Sequence, residues 1–263
     1  MFVELLTADV NDGIGVAFTD RNGGHSTGPL ASLNLGRTDE DSRPALQANM
    51  AALRASIGVQ AVAAVHQVHG VAVFDVDADP RDWSADAWLG DRPGEAAQLS
   101  PAELASIRLP LADALITARP GIALMIRVAD CLPVLFAAGD VIAAAHAGRV
   151  GLLAGVLTQT VRAIRARTAE PIRAWLGPHI CGDCYEVPAA MADETARTHP
   201  AAVSMTSWGT PALDLGAAAI CELSALDVKC VRLDPCTLET ATLFSHRGDG
   251  PAAGRQAGLI WRS

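Results

Sequence analysis

A layered α/β or α+β domain built on a mixed sheet is the fold this sequence predicts, and three observations carry it. Short apolar runs rich in Val, Ile and Leu interleave with amphipathic stretches, yet without the strict strand–helix–strand rhythm of a Rossmann unit. Gly, Pro and Asn punctuate these runs where turns are needed. No glycine loop follows the dinucleotide fingerprint, so a cofactor of that kind is not expected.

Taken in order, VAFT at 16–19 reads as a short strand that runs into a glycine-rich loop ending at Gly36. Asp41 or Ser42 caps a helix with Pro44 in its first turn, and Gly58 stops it. AVAAV (61–65) and VAVFDV (71–76) are strands flanking an HQVHG turn. The polar, Trp- and Pro-containing stretch at 82–109 reads as a surface insert in a single domain spanning 1–263, with a short helix at 102–107. Four strands follow: DALIT, IALMIRV, PVLFA and VIAAA, apolar enough for a sheet buried on at least one face. A helix over 151–167 places Leu153, Val156, Leu157, Val161 and Ile164 on one face. IRAWLG at 172–177 is a strand, 189–197 and LDLGAAAICELSAL are helices, and GRQAGLIW is the closing strand.

Composition narrows the function classes. The 263 residues are half hydrophobic and 19% charged, which excludes a disordered chain. A net charge of −9 argues against a nucleic-acid partner but leaves room for a small anion held by a local cluster of donors. MFVELLTADV lacks a basic start, and Asp9 and Asp12 interrupt its apolar run, so no secretory signal is expected. The apolar stretch 121–147 is broken by Arg127, Asp130, Pro133, Asp140 and His146, and reads as a buried sheet and not a membrane span. Six cysteines without a signal suggest reduced thiols in the cytoplasm.

The most telling residues are His69 in HQVHG, Cys131 in VADCLPVLF and His146 in AAAHAGRVG. Two imidazoles and a thiolate suit zinc, and three protein ligands leave a coordination position open for chemistry. Taken singly, each is as readily a partly buried core residue; together, each beside a Gly- or Pro-marked turn, they favour a site. Asp130 sits beside the thiolate, where it can orient an imidazole or act as an acid–base group. Gln67 can orient substrate or a ligand ring. Arg149 lies at the start of the helix, where its guanidinium and free backbone N–H groups can hold phosphate. Asp113 is expected to anchor a turn. CGDC at 181–184 has no second CxxC to complete a four-thiolate site, so it reads as a structural turn, with Cys221, Cys230 and Cys236 as inert thiols.

HQVHG, ADALIT, VADCLPVLF, AAAHAGRVGL, WLGPHICGDCYEV and FSHRGDG…GRQAGLIW occur in one order, with FTDRNGG and SLNLG ahead of them. This series resembles the bacterial YfiH family, also called the laccase-domain or polyphenol-oxidase family, which includes the peptidoglycan editing factor. The resemblance covers nearly the whole chain outside 82–109. It implies an α+β fold layered α-β-β-α with mixed sheets, and metal ligation by His69, Cys131 and His146. It also implies zinc-dependent phosphorolysis of adenosine, inosine or methylthioadenosine, with adenosine deamination. Arg21, Asn34 and Arg247 match family blocks that can line a pocket. The chain departs from the family's HAGWRG pattern, with Arg149 and Val150 where Trp and Arg usually stand, and it has Gly248 where a second Arg is often found.

The older copper-oxidase label can be weighed directly. A multicopper relay needs many histidines, usually in close pairs, whereas this chain has 7 and no HxH. One His₂Cys set can hold a single copper ion but builds no relay, so zinc is expected, with copper as the alternative ion. Other readings stay open: a hydrolase in which Cys131 attacks with His146 as base, and removal of a misincorporated amino acid from a peptidoglycan precursor. The expected partners are a nucleoside and phosphate, with the chain a monomer or small homo-oligomer.

Overall fold

The computed structural model describes residues 1–7, 13–36, 41–84, 86–89, 108–233 and 235–263. The expected helix at 102–107 lies outside the described residues. Two mixed sheets form the centre of the molecule. The first has five strands in the order β1 (Phe2–Leu6), β2 (Ile14–Thr19), β13 (Gln256–Arg262), β6 (Ile122–Val128) and β3 (Ala61–Ala63); only the β3–β6 pair is parallel. The second has six: β12 (Lys229–Arg232), β9 (Arg173–Leu176), β7 (Leu132–Ala138), β8 (Val141–Ala147), β5 (Ala114–Thr117) and β4 (Val73–Asp75). Its two outer pairs are parallel and its inner ones antiparallel. A two-stranded hairpin, β10 (Val203–Met205) and β11 (Pro211–Leu213), stands apart from both.

Strand alternation explains the layering. Side chains of period two point to opposite faces of a strand. In β7, Leu135 and Ala137 join one core with β2, β6 and β13, while Leu132, Val134, Phe136 and Ala138 join a second core. In β8 the split repeats, with Ile142 and Ala144 on the inner face and Val141, Ala143 and Ala145 on the outer one. The second sheet is therefore buried on both faces, which is why its strands read as unbroken apolar runs. The inner core continues through the first sheet to Leu46, Met50 and Leu53 of helix α1 (Arg43–Ile57). The outer core is closed by α2 (Arg149–Leu153), α3 (Val156–Arg165) and α5 (Leu215–Ala225). This gives the α-β-β-α order. The remaining helices are α4 (Ala189–Thr198) and a single turn, α6 (His246–Asp249).

Local chemistry sets the boundaries. Ser42 caps α1 by accepting the Ala45 N–H at 3.2 Å, and Gly58 ends it at φ 72°. Asp41 is buried instead and accepts from Ser26 and Asn34 at 2.7 Å each. The helix expected over 151–167 starts earlier, at Arg149, and is two helices. Gly155 separates them at φ 91°, a left-handed conformation that breaks the hydrogen-bond ladder. The segment at 82–109 is not simply a surface excursion: Trp83, Trp88, Leu89 and Leu109 are buried in the inner core. Large rings override the polar composition around them. No helix among the described residues is long and apolar enough to cross a membrane.

Candidate functional site

The β7–β8 hairpin turns at Gly139–Asp140, which fixes its register at Ala138 opposite Val141 and Pro133 opposite His146. Cys131 lies two residues before Pro133, so it shares a face with His146 as a diagonal cross-strand neighbour. The β5–β8 ladder brings in the next group: Ala114 pairs with Ala145, and the His146 N–H donates to the Asp113 carbonyl at 2.7 Å. The Asp113 carboxylate is fully buried and accepts from His146 Nδ1 at 2.8 Å. It also accepts backbone N–H groups of Val68, His69 and Gly70, the last at 2.6 Å. One carboxylate thus ties the HQVHG turn to the end of β8. His69 takes φ 59° at the crown of that turn.

The result is convergence. The ligating atoms of His69, Cys131 and His146 all lie within 4.8 Å of one another. The two imidazoles meet edge-on with ring centres 4.7 Å apart. Around a tetrahedral ion, donors at about 2.0–2.3 Å sit roughly 3.3–3.7 Å from each other, so a small contraction suffices to ligate one. With Nδ1 of His146 engaged by Asp113, its Nε2 is the nitrogen left for a metal. Gly148 allows this closeness: a Cβ there would lie 2.4 Å from Nδ1 of His69 and 3.2 Å from Sγ of Cys131.

Charge around the donors is strongly coupled. Burial disfavours the His146 imidazolium, but its hydrogen bonds to Asp113 and Cys131 outweigh that and raise its pKa to about 9. Burial lowers the pKa of His69, and the nearby positive His146 and Arg149 lower it further. For Asp113, burial opposes ionisation, yet the bonds from His146, Gly70 and Val68 hold its carboxyl below the usual range.

The donors open into a cleft of about 830 Å³. Gln67, Asp130, Arg149 and Arg247 line it, as do His66 and Val150. Gln67 spends its amide on the backbone of Arg127, donating to O at 2.8 Å and accepting from N at 3.0 Å, which ties the turn to β6. Asp130, at φ 80°, accepts from the Thr237 hydroxyl and the Arg247 N–H, both at 2.6 Å. Arg247 lies 5.3 Å over the Tyr185 ring and donates to the Glu186 carbonyl at 3.0 Å. Arg149 begins α2, only five residues long, so any anion held there relies on the guanidinium more than on a helix dipole.

Other sequence candidates fall elsewhere. Asn34 is fully buried and does not line the cleft; its amide serves Gly36, Asp41 and the Arg255 N–H. Arg21 is held by the carbonyls of Ala31 and Pro29 and stacks on Phe244. Sequence reasoning missed Arg127, Arg255 and Tyr185, all of which line the cleft. Tyr185 carried a signal, being the chain's only tyrosine, set directly after CGDC.

Comparison with known proteins agrees with this architecture. Residues 15–263 match the family described as multi-copper polyphenol oxidoreductase laccase. A purine nucleoside phosphorylase of Streptomyces coelicolor is 43% identical over 260 residues, covering 96% of this chain and 97% of that protein. A Neisseria meningitidis crystal structure assigned to the DUF152 family shares 34% identity with TM-score 0.77, over 98% of this chain and 99% of that one. The crystal structure of YfiH from Bacillus licheniformis, at 24% identity, shows the same fold with TM-score 0.82, over 98% and 96% of the two chains. The chain therefore belongs to the laccase-domain family.

Proposed function

We propose that this protein is a zinc-dependent purine nucleoside phosphorylase that also deaminates adenosine. One observation carries the reading: a His₂Cys donor set at the base of a cleft lined by Arg127, Arg149, Arg247 and Arg255. The name of the S. coelicolor relative supports it. In an otherwise acidic chain, four guanidinium groups in one cleft concentrate positive field where an anion must bind. Forked Arg donors match phosphate oxygens, and the cleft is large enough for a nucleoside beside phosphate.

In phosphorolysis, a phosphate oxygen bonds to ribose C1′ as the C1′–N9 bond breaks, and the electron pair departs with the purine. Arg149 and Arg247 hold phosphate, while Val150, Ile180 and Leu215 offer an apolar wall to the base. Asp130 keeps Arg247 and the loop at Thr237 in place, and its carboxylate is the acid–base group nearest Cys131 in the chain. Asp113 holds His146 and the His69 turn in ligating position. Zinc, when bound, supplies Lewis acidity toward a substrate atom or water, which also suits attack at purine C6 with loss of ammonia. The family description raises copper, but seven histidines provide no relay of copper centres. Six cysteines without a disulfide fit a reducing cytoplasm.

Incubating adenosine with phosphate and the zinc-loaded protein, then separating adenine, inosine and ribose phosphate, tests the reading. Chelation and His69→Ala should each abolish adenine release; full activity in verified metal-free protein would overturn it. A second reading has structural support: Cys131, His146 and Asp113 form a thiol–imidazole–carboxylate chain, the arrangement of a cysteine-nucleophile hydrolase acting on amide bonds such as those of a peptidoglycan precursor. Stoichiometric zinc held on Cys131 excludes it, since a ligated thiolate is no free nucleophile.

A further inference from the structure

The CGDC turn between β9 and α4 is not isolated. The turn is closed by the Cys184 and Tyr185 N–H groups on the Cys181 carbonyl, at 3.1 and 2.9 Å. The loop after β12 returns beside it through a bridge of His179 with Cys236, and the Thr237 N–H donates to the His179 carbonyl at 3.1 Å. That return sets Cys236 against the turn, where its Sγ accepts the Cys181 N–H at 3.4 Å. Three residues on, Glu239 adds a carboxylate. The four donor atoms of Cys181, Cys184, Cys236 and Glu239 all lie within 4.8 Å of one another.

We propose that Cys181, Cys184, Cys236 and Glu239 bind a second, structural zinc ion, separate from the His69–Cys131–His146 set. The donor chemistry is of the right kind. Cys-x₂-Cys is the usual chelating spacing, thiolates select zinc, and four protein donors close the coordination sphere, as structural sites do. A backbone N–H on a sulfur offsets charge when the sulfur is a ligating thiolate. The surroundings support it too. Cys184 and Cys236 are only 3% and 6% exposed, in a satellite core that otherwise consists of Ile180 and partly buried neighbours. Binding one Zn²⁺ expels three thiol protons and forms three Zn–S bonds, with no change of oxidation state.

The ion would join two loops that support the cleft. Ile180 and Tyr185, flanking the turn, line it, and Thr237, next to Cys236, bonds to Asp130. The Ile180 N–H also donates to the Asp130 carbonyl at 3.0 Å. The proposed role is thus to position a wall of the cleft without touching substrate, and it does not depend on the reaction assigned above.

The test uses the full chain purified under reducing conditions. A Cys131→Ala/His146→Ala double variant should retain about one zinc per chain by elemental analysis. Loaded with Co²⁺, it should show intense thiolate-to-cobalt charge transfer and tetrahedral visible bands. Adding Cys236→Ser should remove both. If the double variant does not fold, X-ray absorption of the wild-type protein gives the answer: two zinc per chain with a mean of about two sulfurs each, against one zinc with one sulfur. Absence of zinc and of the cobalt charge-transfer band in a folded double variant overturns the proposal. So does a disulfide between any two of the three cysteines in the reduced preparation, shown by alkylation mass.

Discussion

Replacing Asp113 with Asn tests the anchoring of the site most directly. Both carboxylate oxygens accept hydrogen bonds: Oδ1 from His69 N at 2.9 Å and His146 Nδ1 at 2.8 Å, Oδ2 from Gly70 N at 2.6 Å. An amide replaces one oxygen with NH₂, which must then face a donor. The cheaper orientation keeps Oδ1 and sets NH₂ against the Gly70 N–H. A charge-assisted bond worth about 1.5–3 kcal/mol is lost, and a buried N–H is left unsatisfied at about 1–3 kcal/mol. The total is about 3–5 kcal/mol, comparable to removing one member of a buried pair. For a chain of this size that corresponds to a Tm lower by roughly 6–20 °C. Because Oδ1 holds the His146 imidazole and the backbone N–H of His69, zinc affinity should also fall about 10- to 100-fold. Calorimetry of the metal-free protein and a competitive zinc titration measure the two effects. A folded variant melting within about 2 °C of wild type, with unchanged zinc affinity, would refute the reasoning.

Gly148→Ala should displace the His69 ring, since the new Cβ would sit 2.4 Å from its Nδ1; zinc affinity should drop by about tenfold or more while calorimetry shows an intact fold. Arg149→Ala should raise the phosphate KM about tenfold or more, through loss of a charge-assisted contact, and leave the zinc content unchanged. The His146 pKa of about 9 lies above its ordinary 6.5, so its imidazolium stabilises the metal-free fold fully below the unfolded value, and this contribution is lost as pH rises through about 9. Metal-free protein should accordingly melt at progressively lower temperature between those two pH values, and Asp113→Asn should flatten the profile.

Much of the layered fold was legible because the second sheet is buried on both sides, and its strands therefore announce themselves as apolar runs. The strands β1, β10 and β12 were not, being short and partly exposed with no clean alternation, nor was β11. The Trp-bearing stretch misled because the rings of Trp83 and Trp88 are buried despite the polar composition of the sequence around them. Within the site, the Gly139–Asp140 turn between two apolar runs already dictates that Cys131 and His146 share a face. His69 could not be placed that way, since it reaches them through the side chain of Asp113 and not through a ladder. Arg127, Arg255 and Cys236 enter by long side chains or distant loops, contacts that leave no local period in the sequence.

The left-handed Gly155 divides the helical stretch after β8 into parts with different duties. Downstream, Val156, Leu157, Val161 and Ile164 fasten α3 to the sheet. Upstream, Arg149 and Val150 face the cleft from a segment of barely one and a half turns. A joint between them means that the upstream piece can be resculpted for a different guest while the downstream piece stays seated. That separation lets Arg149 and Val150 shape the cleft without disturbing the packing of α3 on the sheet.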